Sequence, residues 1–177
     1  MVNKSKKIFV AGVSGVGKST VAKELSSRCI RVIDVDTVPG LCSWFDLSTG
    51  EKATSRNTDS INDKFMDEHD YRCDIQKLKE MLDQSEEDIF VFGNVGDNSN
   101  FLPLFDTVLL LQCSAETQIE RLKTRNTNSF GKDPSVHPRI LKWKKILDGL
   151  MIEAGAKVIN TERSLEEVVE DVMKYTK

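Results

Sequence analysis

The chain has 177 residues, of which 39% are hydrophobic and 30% charged, and its formal net charge is −3. This length and ordinary composition predict a single globular domain over residues 1–177. The negative charge argues against general affinity for nucleic acid or membranes, and no segment approaches the roughly 20 apolar residues of a membrane-spanning helix. We therefore expect a cytoplasmic protein that is a monomer or weak homodimer.

The most informative motif follows the first apolar run, Ile8–Ala11. Residues 12–20 satisfy the pattern G-x-x-x-x-G-K-[ST] of a phosphate-binding P-loop. Its glycines let successive backbone N–H groups converge on one anion at the start of a helix. That helix is predicted by helical spacing of Val21, Ala22, Leu25 and Cys29. We therefore predict that the chain binds a nucleoside triphosphate through Gly12, Ser14, Gly15, Val16, Gly17, Lys18, Ser19 and Thr20.

Two acidic residues end the second apolar run, Val32–Asp36. In an extended segment Asp34 and Asp36 point to the same side. One can hold Mg²⁺ together with the Ser19 hydroxyl, and the other can accept a hydrogen bond from a substrate hydroxyl. The alternative is that the pair only prevents edge pairing or caps the next turn.

Residues 37–70 are polar and weakly periodic, and they are rich in Ser, Thr, Asp and Asn. Because this stretch follows the second strand, at the end where phosphates would lie, we expect a substrate-binding insertion rather than a plain surface excursion. Trp44 and Phe45 can stack on a substrate ring or pack against neighbouring apolar residues.

The rest of the chain alternates apolar runs with helical patterns, which predicts an α/β fold with a parallel sheet. Three further strands are predicted over Ile89–Phe92, Val108–Leu111 and Lys157–Ile159. Helical spacing marks segments near 75–82 and 119–122, and a third with the apolar stripe Ile140, Trp143, Ile146, Leu147 and Leu150. Ser164 and Glu167 form a capping-box pattern that starts the last helix.

Neither the cysteines nor the histidines indicate a metal site. Cys29, Cys42, Cys73 and Cys113 lack C-x-x-C spacing, which predicts reduced structural thiols. His69 and His137 lack accompanying ligands, so we expect surface or hydrogen-bonding roles.

Residues 121–145 form a basic segment, which contains eight Lys and Arg residues and one acidic residue, Asp133. Arg121 and Arg125 are spaced i, i+4, so they share one face of the predicted helix. Such cations suit phosphoryl transfer, because charge spreads over the γ-phosphoryl oxygens in the transition state. We therefore predict that residues 124–136, including Lys132, form a lid that is mobile without nucleotide and closes over it. The lysines at 142, 144 and 145 are expected to form a solvated surface.

In order and spacing, these motifs resemble the small P-loop kinases of the shikimate kinase, gluconate kinase and adenylate kinase group. The resemblance covers nearly the whole chain and is nearest to uncharacterised shikimate-kinase-like ATP-binding proteins. It implies a three-layer P-loop kinase fold, with helices on both faces of a five-stranded parallel sheet of order 2-3-1-4-5. It also implies ATP and Mg²⁺ as cofactors and a small molecule as acceptor.

The same resemblance implies roles for individual residues. Lys18, Asp36, Arg121 and Arg125 would be catalytic, and Asp34 with Ser19 would organise Mg²⁺. The loop after the third strand would meet the acceptor through Gly93 and Asn94, together with Asp36. Arg125 would lie over the nucleotide phosphates or base, and Asn160 would lie in the adenine-side loop.

Two departures from this group bear on the acceptor. The stretch Lys64–Glu68 has no arginine to clamp a substrate carboxylate, and the loop at 93–98 lacks both a triple glycine and an Asp-Gly-x-Pro-Arg motif. We therefore expect a kinase of a small hydroxyl-bearing molecule other than shikimate. A nucleoside or nucleotide kinase and an NTP-binding regulatory protein are the alternatives. A GTPase switch is disfavoured, since [NT]-K-x-D does not occur.

Overall fold

The computed structural model describes residues 5–53, 63–94, 98–126 and 130–176. The strands, in chain order, are β1 Lys7–Ala11, β2 Arg31–Asp34, β3 Cys42–Asp46, β4 His69–Cys73, β5 Ile89–Gly93, β6 Thr107–Gln112 and β7 Lys157–Asn160. The helices are α1 Lys18–Ser27, α2 Asp63–Glu68, α3 Ile75–Asp83, α4 Asn98–Phe101, α5 Ala115–Thr124, α6 His137–Glu153 and α7 Leu165–Met173.

Five strands form a parallel sheet of order β2-β5-β1-β6-β7, which confirms the predicted topology. The central strands are covered on both faces: every residue of β5 is buried, as are residues 8–11 of β1. This double burial explains why the strands read as continuous apolar runs in the sequence. Because all five strands are parallel, their carboxyl ends meet at one edge, and the P-loop follows β1 there.

Three local predictions about helices are resolved by the structure. The capping box at Ser164 and Glu167 is present at the start of α7, as predicted. The predicted extension of α1 to Cys29 is wrong, because the helix ends at Ser27 and Cys29 has a left-handed φ of 61°. In the described part of the chain, no helix is both long and apolar enough to cross a bilayer.

The apolar stripe predicted on α6 is only partly buried. Leu147 and Ile140 are buried, whereas Trp143, Ile146 and Leu150 are 44–48% exposed. The inward face is completed instead by Met151, and α6 packs through this face against β6 and the segment before the helix. The helical periodicity is therefore present, but the buried face of α6 is narrower than the apolar stripe predicts.

The largest difference from the sequence-based prediction is a second sheet, which overlaps residues 37–70 and extends the insertion to Cys73. Strands β3 and β4 pair antiparallel, with Trp44 opposite Tyr71. The same register places Cys42 opposite Cys73, and their sulfur atoms form a disulfide. The prediction of four reduced thiols is therefore wrong for this pair, while Cys29 and Cys113 are free. Spacing alone could not reveal the bridge, because it depends on a strand pairing that the sequence pattern did not show.

Candidate active site

The P-loop occupies the turn between β1 and α1, and glycine is required at several of its positions. Gly12, Gly15 and Gly17 have positive φ angles of 154°, 91° and 106°. A β-carbon at Gly12 would lie 2.7 Å from the Val16 side chain and 3.1 Å from a backbone oxygen of β6. This curled backbone directs the first turn of α1 toward the sheet edge, where the exposed side chains of Ser19 and Thr20 also lie.

Lys18 folds across the loop from the first turn of α1. Its ammonium donates hydrogen bonds to the carbonyl oxygens of Gly12 at 2.6 Å and Val13 at 3.2 Å. Burial lowers the pKa of Lys18, while the negative charges of Asp36 and Asp34 act in the opposite direction. The structure thus brings the P-loop lysine and the strand-end acids together in one site.

Asp34 and Asp36 are adjacent, but not through the extended geometry that the sequence predicted. Strand β2 ends at Asp34, and residues 35–37 form a turn. Asp34 Oδ1 accepts a hydrogen bond from the Asp36 backbone N–H at 3.1 Å, and the Asp34 carbonyl accepts from the Thr37 N–H. The predicted strand was too long because the Asp34 side chain stabilises a turn of its own.

This turn separates the environments of the two carboxylates. Asp34 is half-buried, and Asp36 is exposed. Burial raises the pKa of Asp34, and the charge of Asp36 raises it further, whereas the Asp36 N–H and Lys18 lower it. A carboxylate in this position gains stability from any cation that binds beside it.

Gly93 supports the aspartate turn by close packing. It ends β5, and a β-carbon there would lie 2.4 Å from the Val35 side chain, which is buried. Val35 also donates its N–H to the Phe92 carbonyl at 2.9 Å. The structure therefore shows a packing function for Gly93 beneath the aspartates, and Asn94 follows it, half-buried, at the same sheet edge.

Arg121 and Arg125 of the basic segment both reach the P-loop, although Arg125 lies just beyond α5 with an extended backbone. Arg121 donates to the Val16 carbonyl at 3.3 Å and to the Thr161 hydroxyl and carbonyl at 2.9 and 2.7 Å. The Thr161 hydroxyl in turn donates to the Val16 carbonyl at 2.8 Å. Arg121 thus ties the P-loop to the end of β7.

Arg125 differs from Arg121 because its guanidinium has a donor that is available for a further hydrogen bond. Its guanidinium donates to the Ser14 hydroxyl at 3.0 Å and to the Phe130 carbonyl. Within the described residues, its Nε is buried without a hydrogen-bond acceptor. A buried, unpaired donor of a cationic group beside a P-loop is suited to an anion, because the unpaired state is costly.

The predicted lid is described except for residues 127–129, and Lys132 within it is exposed. Apolar side chains anchor the second half of the predicted lid. Leu122, Val136 and Ile140 form a small buried cluster with Phe130 packed against it. Buried His137 hydrogen-bonds to the Gly131 carbonyl, which agrees with the hydrogen-bonding role expected for this residue.

Asn160 ends β7 and is exposed, and its side-chain oxygen accepts the Glu162 N–H at 2.9 Å. It therefore shapes the turn between β7 and α7. This turn lies beside the P-loop through the contacts of Thr161 with Val16 and Arg121. A role for this loop beside the base of a nucleotide stays a prediction.

The Asp36 side of the site contains a residue, Tyr71, that the sequence did not indicate. The Tyr71 hydroxyl donates a hydrogen bond to Asp36 Oδ1 at 2.7 Å. The Tyr71 ring packs on Trp44, with centroids 5.0 Å apart, and Trp44 meets Phe65 edge-on at 5.4 Å. Phe45 lies on the other face of the hairpin, with the Arg72 guanidinium over its ring. The two aromatic residues considered from the sequence thus have packing partners within the insertion.

In the part of the chain described here, protein side chains alone do not form a complete metal-binding site. Among those residues, no group of three or more His, Cys, Asp or Glu side chains is arranged to hold a metal ion. His69 instead stacks on Phe65 and bonds to its carbonyl oxygen. Asp34 and the Ser19 hydroxyl are oxygen ligands of the kind that Mg²⁺ shares with nucleotide phosphates.

Comparison with known proteins agrees with this geometry. A protein of Methanocaldococcus jannaschii named "Putative adenylate kinase" is 29% identical over 97% of this chain and 86% of its own length. The dephospho-CoA kinase of Streptococcus mutans is 23% identical over 92% of this chain and 95% of its own length.

Among solved structures, a gluconokinase from Sinorhizobium meliloti 1021 superposes with a TM-score of 0.56 and 21% identity, over 96% of this chain and 90% of that one. A deoxyadenosine kinase from M. mycoides gives a TM-score of 0.54 at 18% identity, over 95% and 96% of the two chains. These structures share the fold of this chain. A family profile described as "AAA domain" matches residues 8–142, which include the P-loop, the aspartate turn and both arginines. The chain therefore belongs to this AAA domain family, AAA_18, and has the fold of small P-loop kinases.

Proposed function

We propose that the protein is an ATP-dependent phosphotransferase that moves the γ-phosphoryl group of ATP to a hydroxyl of a small molecule. The observation that carries this proposal is that the P-loop with Lys18 and the turn with Asp34 and Asp36 follow the carboxyl ends of β1 and β2, at one edge of the same parallel sheet. A protein that only binds nucleotide needs the lysine, but it has no use for an exposed carboxylate on the acceptor side.

In the proposed reaction the acceptor hydroxyl oxygen attacks the γ-phosphorus as the bond to the β–γ bridging oxygen breaks. The hydroxyl proton passes to Asp36, and ADP leaves with the electron pair of the broken bond. Lys18 stabilises the outer phosphates, and Arg125 uses its unpaired donor on the same charge. Arg121 acts beside them by holding Val16 and Thr161 in place.

Mg²⁺ is part of the proposal, since the site offers oxygen ligands and an acidic group that favours a cation. Ser19 and Asp34 would hold the ion together with nucleotide phosphates, and the ion would neutralise charge on those phosphates. The nucleotide base would lie against the turn that contains Asn160, while the acceptor would lie near Asp36, Gly93 and Asn94.

A second candidate, a nucleotide kinase with a phosphate acceptor, is favoured by the relative named as an adenylate kinase. Two features of the site argue for a hydroxyl acceptor instead. An acceptor phosphate carries negative charge that Asp36 would repel, and it needs no base to remove a proton. Arg72, the basic residue of β4, lies over Phe45 and pairs with Asp70 rather than with the Asp36 side.

The test is transfer of label from [γ-³²P]ATP in the presence of Mg²⁺ to a panel of polyols, sugar acids, nucleosides and AMP. We expect a labelled product with a hydroxyl acceptor, and AMP should be a poor substrate. Efficient labelling of AMP would favour the second candidate. Tight ATP binding without transfer to any member of the panel would favour a regulatory NTP-binding protein.

Location and assembly are also part of the proposal. We place the protein in the cytoplasm because its reaction consumes ATP. We also propose that it is a monomer or weak homodimer that binds neither nucleic acid nor membranes. Because Cys42 and Cys73 form a disulfide, the argument for this compartment does not rest on reduced cysteines. Sedimentation velocity across a range of concentrations tests the assembly, and cell fractionation tests the compartment.

A further inference from the structure

The Tyr71 hydroxyl is directed at the carboxylate that we propose as the acceptor-side base. It donates to Asp36 Oδ1 at 2.7 Å, although the two residues are 35 positions apart in the chain. Asp36 lies beyond the end of β2, in a turn, and its side chain is exposed. An exposed carboxylate on a turn has rotational freedom unless a partner fixes it.

The Tyr71 ring is itself held by the small sheet. Tyr71 is the direct cross-strand neighbour of Trp44, and the two rings are in contact at 5.0 Å between centroids. Phe65 of α2 covers Trp44 from the other direction. Two pairs further along the same two strands, the Cys42–Cys73 disulfide fixes the strand register from which Tyr71 projects. The phenol therefore approaches Asp36 from a braced framework.

Lys18 is a cation that can draw Asp36 away from the acceptor. The charge of Asp36 raises the pKa of Lys18, so the two groups are within electrostatic reach. If its carboxylate turned toward the ammonium, Asp36 would join the nucleotide side of the site. The hydrogen bond from the Tyr71 hydroxyl opposes this rotation.

We infer that Tyr71 is a positioning residue for phosphoryl transfer: it occupies Oδ1 of Asp36 and thereby presents Oδ2 to the acceptor hydroxyl. The inference rests on the proposed function. Tyr71 keeps its own proton throughout, and the proton of the acceptor goes to Oδ2 of Asp36. The insertion thus contributes to catalysis by orienting a base that belongs to the turn after β2.

The test is a double-mutant cycle on kcat that combines Tyr71→Phe and Asp36→Asn, with ATP and the best acceptor of the labelled panel. Tyr71→Phe keeps the ring and its packing on Trp44, so the melting temperature should stay near that of the wild type. We expect kcat to fall about 10- to 100-fold, as misplacement of a reacting group does, with KM for ATP unchanged. In the Asp36→Asn background, the same change should have little further effect, because its route of action is gone.

The chain provides a matched control, since its one other tyrosine is Tyr175 near the C-terminus. Tyr175→Phe should leave kcat unchanged. Full activity of Tyr71→Phe would overturn the positioning role and leave the proposed function intact. Equal losses in the wild-type and Asp36→Asn backgrounds would also overturn it, because they would show a structural effect independent of Asp36. If the wild type transfers label to no acceptor, the proposed function fails, and the positioning role falls with it.

Discussion

At the scale of single residues, we propose that Lys18 is central to nucleotide binding. Its ammonium is held by two carbonyl oxygens of its own loop, so a phosphate that enters the loop can take over those hydrogen bonds. Its hydrogen bonds go to backbone carbonyl oxygens, and its charged neighbours are Asp36, Asp34 and Arg125. Its removal should therefore affect binding far more than folding.

We predict that Lys18→Ala weakens ATP binding at least about 10- to 100-fold, the range expected for loss of a hydrogen bond from a charged group. Isothermal titration calorimetry measures the affinity, and thermal unfolding checks the fold. Lys23→Ala is the control, because Lys23 is exposed on the same helix. Wild-type ATP affinity in the Lys18 variant would show that this loop does not bind the nucleotide.

Asp34 carries the prediction for Mg²⁺. Asp34→Asn keeps an oxygen that can accept the Asp36 N–H, so the turn should persist, but it removes the charge that a cation would neutralise. We expect the Mg²⁺ concentration for half-maximal transfer to rise about tenfold, the effect typical of altered metal coordination. A titration of activity with MgCl₂ tests this. An unchanged midpoint of the Mg²⁺ titration would show that Asp34 only stabilises the turn, which is the alternative considered for the aspartate pair from the sequence.

At the scale of elements, the sequence predicted the parallel sheet well and the insertion poorly. Strands β1 and β5 are buried on both faces, and this burial explains their continuous apolar runs in the sequence. Strands β3 and β4 are half-buried throughout most of their length, without clear alternation, so no periodic signal marks them. The Tyr71–Asp36 contact was out of reach for the same reason, because it requires the register of a hairpin that the pattern did not reveal.

Gly93 shows how one element supports the chemistry of another. Its backbone φ is not in the left-handed region, so the restriction arises from space: a β-carbon would clash with Val35, between the two aspartates. We predict that Gly93→Ala destabilises the protein by about 1–3 kcal/mol through overpacking and lowers the transfer rate by displacing the aspartate turn. Urea unfolding and kcat measure the two effects.

Two further variants separate the clash from other effects of substitution. Adding Val35→Ala to Gly93→Ala removes the atoms in conflict and should recover part of the lost activity. Gly149→Ala, on an exposed position of α6 with open space around it, should leave activity unchanged and stabilise the helix slightly. If Gly93→Ala alone is as active as the wild type, the proposed support of the aspartates is incorrect.

At the scale of the whole molecule, the site is assembled from separate parts of the chain at one edge of the sheet. The P-loop and aspartate turn follow β1 and β2, the acceptor side comes from the β3–β4 hairpin, and the arginines come from α5 and the segment after it. Ion pairing between Asp67 of α2 and Arg139 of α6 also joins the insertion to the helix after the lid, at 2.8 Å. Substrate binding is therefore expected to affect several elements together.

We predict that an ATP analogue with Mg²⁺ slows amide hydrogen exchange at residues 124–126 and 130–136 by about tenfold or more, as local opening is suppressed. Arg125→Ala should reduce this protection, because it removes the link from the segment to the phosphates. Residues 165–173 of α7 serve as an internal reference. Equal exchange of 130–136 with and without nucleotide would show that this segment is only a basic surface anchored on α5 and α6.

The central claim is that Lys18 and Asp36 serve the donor and acceptor halves of one phosphotransfer site. The most direct measurement is single-turnover transfer by Asp36→Asn at saturating ATP, with ATP affinity measured on the same sample. We predict that ATP affinity stays within about threefold of the wild type while the transfer rate falls about 10²- to 10⁴-fold, as for loss of a general base. An unchanged transfer rate, or a parallel loss of ATP affinity, would contradict the account.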